Sequence, residues 1–459
     1  MTAGPTGSGD GPDIAAGRLG ADRLSDNFAD IHPPLDRATA LIEASRCYFC
    51  YDAPCVEACP TGIDIPSFIR SIQTGNERGS AKTILDANIM GGTCSRVCPV
   101  EELCEQACVR NTQEDKPVTI GALQRFATDR LFESGARPYS RAAPTGRTVA
   151  AVGAGPAGMA CAHRLSLLGH DAVVFEARPK GGGLNEYGIA AYKVPGGFAQ
   201  RELDFILSLG GIEMRYGQAL GRDVTLADLR RDHDAVFLGL GHTAVRALGA
   251  EGEDMDGVID AVDYIAELRQ ADPSTLPVGR RVVVIGGGNT AIDIATQVKL
   301  LGAEDVTLVY RRGPAQMSAT WKEQRWTQTN GVRVKYFAQP RRLIGWSRNG
   351  RSHVKEVEFE YTQLDDQGRL TGTGDTFTLL ADQVFKAIGQ LFVPSALADG
   401  GAEPLEIAGD RIAVNADRQT SLPDVFAGGD CVAGTDLTVS AVEDGKRAAI
   451  AIDRMLRAG

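Results

Sequence analysis

The sequence predicts a helical, cysteine-bearing domain followed by two nested α/β domains. Three observations carry that fold class. Eight of the ten cysteines fall between Cys47 and Cys108, in a segment with helical patterning and little β-pattern. Beyond it, β-branched runs alternate with helical patterns to the end of the chain, which is the signature of α/β architecture. Two of those runs feed into glycine-rich turns, Gly153-Ala154-Gly155-Pro156-Ala157-Gly158 and Gly286-Gly287-Gly288-Asn289-Thr290-Ala291. A strand, a glycine turn and a helix in that order make both domains Rossmann-like.

Residues 1–30 are expected to form a disordered leader. Met1 to Arg18 is rich in Gly, Ala, Pro and Asp without periodicity. No basic stretch followed by an apolar run precedes Leu24, so no secretory signal is expected and a cytoplasmic location follows. The formal net charge of -11 argues against nucleic acid and anionic membranes as partners. No run approaches the eighteen or more apolar residues that a membrane helix needs.

The helical domain is placed at residues 31–140. Its first cysteine block is Cys47, Cys50, Cys55, Cys59-Pro60, a C-x2-C-x4-C-x3-C-P run. The second is Cys94, Cys98-Pro99, Cys104, Cys108, or C-x3-C-P-x4-C-x3-C. Dense thiolates with a Cys-Pro in each block suit two iron–sulfur clusters, and in two-cluster ferredoxins the fourth Cys of a run ligates the other cluster. Zinc is the rival metal. Zinc sites usually pair two C-x2-C knuckles, and only Cys47/Cys50 has that spacing. A disulfide framework would need an oxidising compartment. Cys161 and Cys431 stand apart and are expected to be small buried apolar residues.

Pro138 to Gly146 reads as a linker. The strand Thr148–Val152 then enters the first glycine turn. Gly153 permits the tight turn, Gly155 lets backbone approach a pyrophosphate, and Gly158 allows close helix–strand packing. The pyrophosphate would sit on the helix N-terminus, where free N–H groups and the dipole favour anions. The next strand, Asp171–Phe175, ends in Glu176, suited to a ribose hydroxyl. The second unit repeats this grammar from Arg281–Ile285, but its following strand, Val306–Tyr310, ends in Arg311-Arg312. A basic pair there suits a 2′-phosphate and leans towards NADPH. Solvated arginines, or arginines on the pyrophosphate of either nicotinamide, are the competing reading. A late strand, Val425-Phe-Ala-Gly-Gly429-Asp430, returns to the first domain and could meet a flavin's ribityl chain or phosphate. FAD is therefore placed in 147–280 plus 390–459, and NAD(P)H in 281–389.

This constellation resembles the glutamate synthase small subunit and the N-terminal half of dihydropyrimidine dehydrogenase, from about residue 30 onward. Gly182 to Lys193 and Ser440-Ala-Val-Glu-Asp-Gly-Lys446 look most like the bacterial flavin subunit of dihydropyrimidine dehydrogenase. The resemblance implies one 4Fe–4S cluster on Cys47, Cys50, Cys55 and Cys108, and another on Cys59, Cys98, Cys104 and Gln124. Cys94 is then a non-ligand, although counting alone assigns eight cysteines to two clusters. It implies FAD contacts at Gly153, Ala154, Gly155, Pro156, Ala157, Gly158, Glu176, Gly183, Leu184, Lys193, Gly429, Asp430 and Thr438. It implies nicotinamide-nucleotide contacts at Gly287, Gly288, Asn289, Thr290, Arg311, Arg312, Ala387, Ile388 and Gly389. Ser318 stands where the NADPH-using eukaryotic enzyme has a further basic residue, and the bacterial relatives are NADH-linked, so the choice of NADH or NADPH stays open.

The activity so implied is electron input. NAD(P)H is oxidised at FAD, and electrons pass through the clusters to a separate pyrimidine-reducing FMN/iron–sulfur subunit in a hetero-oligomer. No catalytic acid or base is expected in the hydride step, since nicotinamide and flavin carry that chemistry. A glutamate synthase small subunit or a paralogue feeding another acceptor is the alternative. A zinc-binding docking scaffold is a third reading, of a different class.

Overall fold

The computed structural model describes residues 13–458 except 243, 349 and 398–403. The chain divides into two compact units. One contains residues 30–187, 193–244 and 390–459; the other contains 1–29, 188–192 and 245–389. Among the described residues no helix is long and apolar enough to cross a membrane.

In the first unit the cysteine segment is helical, as its patterning predicts. Helix Ile65–Gln73 shows why. Asp64 caps it by accepting from the Ser67 amide at 3.1 Å, and Ile65, Phe68, Ile69 and Ile72 turn one apolar stripe inward. Helices Glu77–Ala87 and Ile120–Glu133 bury matching stripes in the same core. Arg125 clamps the segment's entry by ion-pairing Asp30 at 2.5 Å.

The same unit holds a five-stranded parallel sheet. Strand Thr148–Val152 lies at its centre, flanked by Asp171–Glu176 and then Ile212–Tyr216 on one side. Ala235–Leu238 and then Val425–Ala427 flank it on the other. The late strand thus does return to the first nucleotide fold. The central strands read as near-continuous apolar runs because both faces are covered. Helix Thr438–Ala458 packs on helix Pro156–Leu167 so closely that a Cβ at Gly445 would lie 2.0 Å from the Ala157 carbonyl oxygen.

The second unit holds another parallel sheet, ordered Arg333–Tyr336, Asp305–Tyr310, Arg281–Gly286, Gln383–Ala387 and Val258–Asp260. A three-stranded antiparallel sheet, spanning Ala338 to Leu380, is inserted before Gln383.

Two expected boundaries are corrected. The flavin domain does not run to residue 280: Val258–Asp260 pairs in parallel with Val384–Lys386, so residues 245–389 belong with the second sheet. The expected leader is ordered over residues 13–29. Ile14–Ala15 pairs with Val278–Gly279, and helix Ala21–Asn27 buries Leu24 in the second unit's core. Residues 1–12 of that leader lie outside the described residues. The linker is also packed, with Ala142 and Thr145 donating backbone hydrogen bonds to Leu167 and Gly169.

Candidate functional site: two nucleotide cradles and a set of thiols

The first cradle is built by backbone that tolerates no side chain. Gly153 has φ +96°, and a Cβ there would lie 2.3 Å from the Gly239 carbonyl oxygen. A Cβ at Gly158 would lie 1.9 Å from the Gly153 oxygen. Gly183, at φ +53°, brings its backbone against Gly155. Helix Pro156–Leu167 starts at Gly155 without a side-chain cap, so its first N–H groups face the turn as an anion site requires. The buried Glu176 carboxylate accepts from the Ala154 and Arg178 amides, both at 2.8 Å, and so stiffens the turn it faces.

The return strand delivers the rest. The Gly429 amide donates to Asp444 at 3.0 Å, and Thr438 donates to Asn185, whose amide in turn reaches the Met90 sulfur at 3.5 Å. Burial, followed by the charge of Asp436, raises the pKa of the Asp430 carboxyl. Ala154, Pro156, Ala157, Leu184 and Lys193 fall in the same unit, with Lys193 buried. Sequence reasoning missed His242. Its ring is 8% exposed, Asp436 lies 3.4 Å from Nε2, and Nδ1 is buried without a partner among the described residues. It follows the carboxyl end of strand Ala235–Leu238, the end at which open α/β sheets bind ligands. That position was its only sequence signal.

The second cradle belongs to the other unit. A Cβ at Gly286 would lie 2.1 Å from the Ala387 oxygen, and one at Gly287 would lie 2.3 Å from the Tyr310 ring. Helix Asn289–Leu300 opens at Gly288, again uncapped, which sets Asn289 and Thr290 in its first turn. Ala387 pairs directly with Gly286, bringing Ala387, Ile388 and Gly389 to the turn. The loop after Arg311 and Arg312 folds back as well. The Ala319 amide donates to the Gly287 carbonyl at 3.1 Å, and the Ser318 hydroxyl lies 3.3 Å from where a Gly288 Cβ would sit. Neither Arg311 nor Arg312 has an ion-pair partner among the described residues, and Arg311 is exposed. Two guanidiniums without ion-pair partners among the described residues make this edge electropositive.

The thiols divide into two sets. Cys47, Cys50, Cys55 and Cys108 line one partly open cavity, with Tyr48, Ala53, Arg110 and Val118. The Cys55 thiol is pushed up to about 12 by burial, reinforced by Cys47 and Cys108. Cys59, Cys94, Cys98 and Cys104 make the other set. The hydrogen bond that the Cys98 thiol donates to Cys94, and then burial, push Cys98 well up, while burial and neighbouring charges, Cys59 included, raise Cys104. Among the described residues no three such side chains converge on a single-ion position. Thiols that resist ionisation are compensated by a bound cation, and thiolate donors suit iron–sulfur clusters as they suit zinc. The residues therefore fit iron–sulfur clusters. Gln124 is buried, and its Nε2 donates to the carbonyl of Gly91, the first residue of the helix Gly91–Val97 that carries Cys94, at 2.7 Å, so the amide oxygen is the atom it could offer a metal. Cys94 lies among the second set although the resemblance makes it a non-ligand. Cys161 and Cys431 are fully buried, outside both sets.

Comparison with known proteins agrees with this geometry. Residues 147–445 match the pyridine nucleotide-disulphide oxidoreductase family, and residues 24–136 match dihydropyrimidine dehydrogenase domain II, 4Fe-4S cluster. The chain belongs to the pyridine nucleotide-disulphide oxidoreductase family. It is 37% identical over 444 residues to the glutamate synthase [NADPH] small chain of Escherichia coli, covering 92% of each chain. It is 36% identical over 431 residues to the NAD-dependent dihydropyrimidine dehydrogenase subunit PreT of Salmonella typhimurium, covering 94% of this chain and 98% of that one. In fold it is similar to Mycobacterium tuberculosis FprA, with a TM-score of 0.56 at 20% identity, over 68% of this chain and 85% of that one. The protein is an FAD-dependent NAD(P)H oxidoreductase with an N-terminal 4Fe–4S domain.

Proposed function

We propose that this chain is the electron-input subunit of a cytoplasmic dihydropyrimidine dehydrogenase. It would oxidise NAD(P)H and deliver the electrons to a separate pyrimidine-reducing FMN/iron–sulfur subunit. The observation that carries the reading is the 36% identity with PreT across 98% of that subunit's length. The two cradles and the two thiol sets supply sites for every carrier such a chain needs. When bound, FAD accepts a hydride as an electron pair, and the clusters pass those electrons on singly.

The protein's own residues orient and shield. The Gly153–Gly158 turn, braced by Glu176, holds the flavin pyrophosphate, and Gly429, Asp430 and Thr438 meet the rest of the cofactor. Gly287 to Thr290 hold the nicotinamide nucleotide with Ala387 to Gly389, and Arg311 and Arg312 take a 2′-phosphate where one is present. Cys47, Cys50, Cys55 and Cys108 hold one cluster. Cys59, Cys98, Cys104 and Gln124 hold the other.

The 37% identity with a glutamate synthase small chain supports a second reading, in which the acceptor is an amidotransferase subunit. Co-expression separates the two. With a pyrimidine-reducing partner, NAD(P)H should drive uracil or thymine reduction, and this chain alone should reduce only artificial acceptors such as ferricyanide. Glutamate formation with an amidotransferase partner, and no pyrimidine reduction, would favour the second reading.

A further inference from the structure

The Ser440–Lys446 stretch ends on a lysine that neither nucleotide cradle uses. Lys446 belongs to the flavin-domain helix Thr438–Ala458, yet its ammonium is directed at the cysteine domain. It donates to the carbonyls of Thr61 at 3.2 Å and Ala87 at 3.0 Å, with its side chain only 18% exposed. Thr61 is two residues beyond Cys59, and its hydroxyl lies 3.4 Å from the Cys59 sulfur. The lysine therefore grips the loop carrying one of the thiols of the second set.

The charge balance around it is one-sided. The two carbonyls satisfy its N–H groups without neutralising it. Its counter-ion is Glu443, at 2.6 Å, and Glu443 is shared with Arg447 at 2.8 Å. Lys446 and Arg447 share that carboxylate, and the adjoining Asp444 pairs with Arg418 at 2.5 Å, so this group of side chains keeps one net positive charge. A net positive charge held in a partly desolvated seam stabilises an electron added nearby more than it would in water. The seam is also pinned elsewhere, by Asn185 on the Met90 sulfur and by Glu202 on the Thr93 amide at 3.0 Å. Arg164 also donates across it, to the Asp86 carbonyl at 2.9 Å, and Lys446 is the cation that reaches the Cys59 loop.

We propose that Lys446 is a positioning residue for electron transfer: it fixes the Cys59–Thr61 loop against the flavin helix, and its charge favours the reduced form of the cluster that loop holds. The inference rests on the reading of Cys59, Cys98 and Cys104 as cluster ligands. Each step it assists moves one electron from reduced flavin to an oxidised cluster, with NAD(P)H as the source of the pair. Removing the ammonium has two effects of one sign. The favourable charge is lost, and Glu443 is left facing the seam with only Arg447.

The test uses the full chain with its cofactors, as Lys446→Met, Lys446→Gln and Lys446→Arg. Lys446→Gln keeps a donor but no charge, and it carries the test if Lys446→Met fails to fold. Cluster midpoint potentials are read by redox titration with electron paramagnetic resonance, and rapid mixing with NADPH follows flavin bleaching and cluster reduction separately. Lys446→Met and Lys446→Gln should shift one cluster to a more negative potential and slow its reduction several-fold. Flavin bleaching should keep its rate, and Lys446→Arg should restore the potential. Unchanged potentials in fully loaded Lys446→Met and Lys446→Gln would overturn the proposal, even with lower thermal stability, because a mere strut would behave that way. Wild-type protein that holds zinc or no iron would instead overturn the ligand reading beneath it, so the two failures are distinguishable.

Discussion

Glu202 offers a prediction whose size follows from the structure. It is 1% exposed on helix Phe198–Leu207 and receives hydrogen bonds from the Thr93 amide at 3.0 Å and the Thr93 hydroxyl at 2.5 Å. Burial raises its carboxyl from an ordinary 4.5 to about 7, against the opposing pull of Thr93, Arg96 and Gly92. Arg96 cannot fully neutralise it, being already paired with Asp129 at 2.6 Å. For an acid whose folded pKa is raised, the stabilisation is complete below the unfolded value and is lost as pH rises through the folded one. The window is therefore pH 4.5 to about 7, and the loss is ~3 kcal/mol at 1.36 kcal/mol for each tenfold change in proton affinity. Glu202→Gln mimics the protonated acid: its amide oxygen accepts from the Thr93 amide, and its N–H donates to the Thr93 hydroxyl. The variant should match the wild type near pH 4.5 and exceed it by ~3 kcal/mol at pH 8, or about 5 °C in melting temperature. Urea denaturation of the flavin-loaded protein at half-unit steps from pH 4.5 to 8.5 measures it. Parallel pH profiles for the two proteins would refute the argument.

Three further predictions follow from the cradles and the thiols. Gly158→Ala places a methyl 1.9 Å from the Gly153 carbonyl, and overpacking of that kind costs about 1–3 kcal/mol, so FAD should bind roughly 5- to 150-fold more weakly by equilibrium dialysis. Arg311→Ala with Arg312→Ala should weaken NADPH by about 2–3 kcal/mol, roughly 30- to 150-fold, and NADH far less; equal small losses would remove these arginines as the selectivity device. Cys104→Ser should lose about four irons, one cluster's worth, whereas Cys94→Ser should keep both clusters by metal analysis. Loss of four irons from Cys94→Ser, with none from Gln124→Ala, would make Cys94 the ligand in place of Gln124.

The nested nucleotide folds were legible because a parallel strand entering a glycine turn leaves a local record. Gly153, Gly158, Gly286 and Gly287 are each forced by an atom that a Cβ would strike. The domain boundary was less legible. Val258–Asp260 is three residues long, too short for a period, and its partner Val384–Lys386 lies far along the chain. Ile14–Ala15 and Leu24 are ordered for the same reason: tertiary partners supply what local sequence does not. The cysteine spacing announced metal sites, but the division of the thiols into two sets came from the family resemblance, because spacing alone does not put Cys108 with the first block. Glu202, Lys446 and Asn185 were invisible as seam residues, because each acts on backbone or sulfur remote in sequence.

The central claim, that electrons enter as NAD(P)H and leave through iron–sulfur clusters, is tested most directly by an anaerobic NAD(P)H titration of the purified chain. Metal and flavin analysis of the same sample should give about eight irons and one FAD. The account predicts flavin bleaching followed by the paramagnetic signals of reduced 4Fe–4S clusters. Stoichiometric zinc with negligible iron, or a bleached flavin whose electrons never reach a cluster, would contradict it.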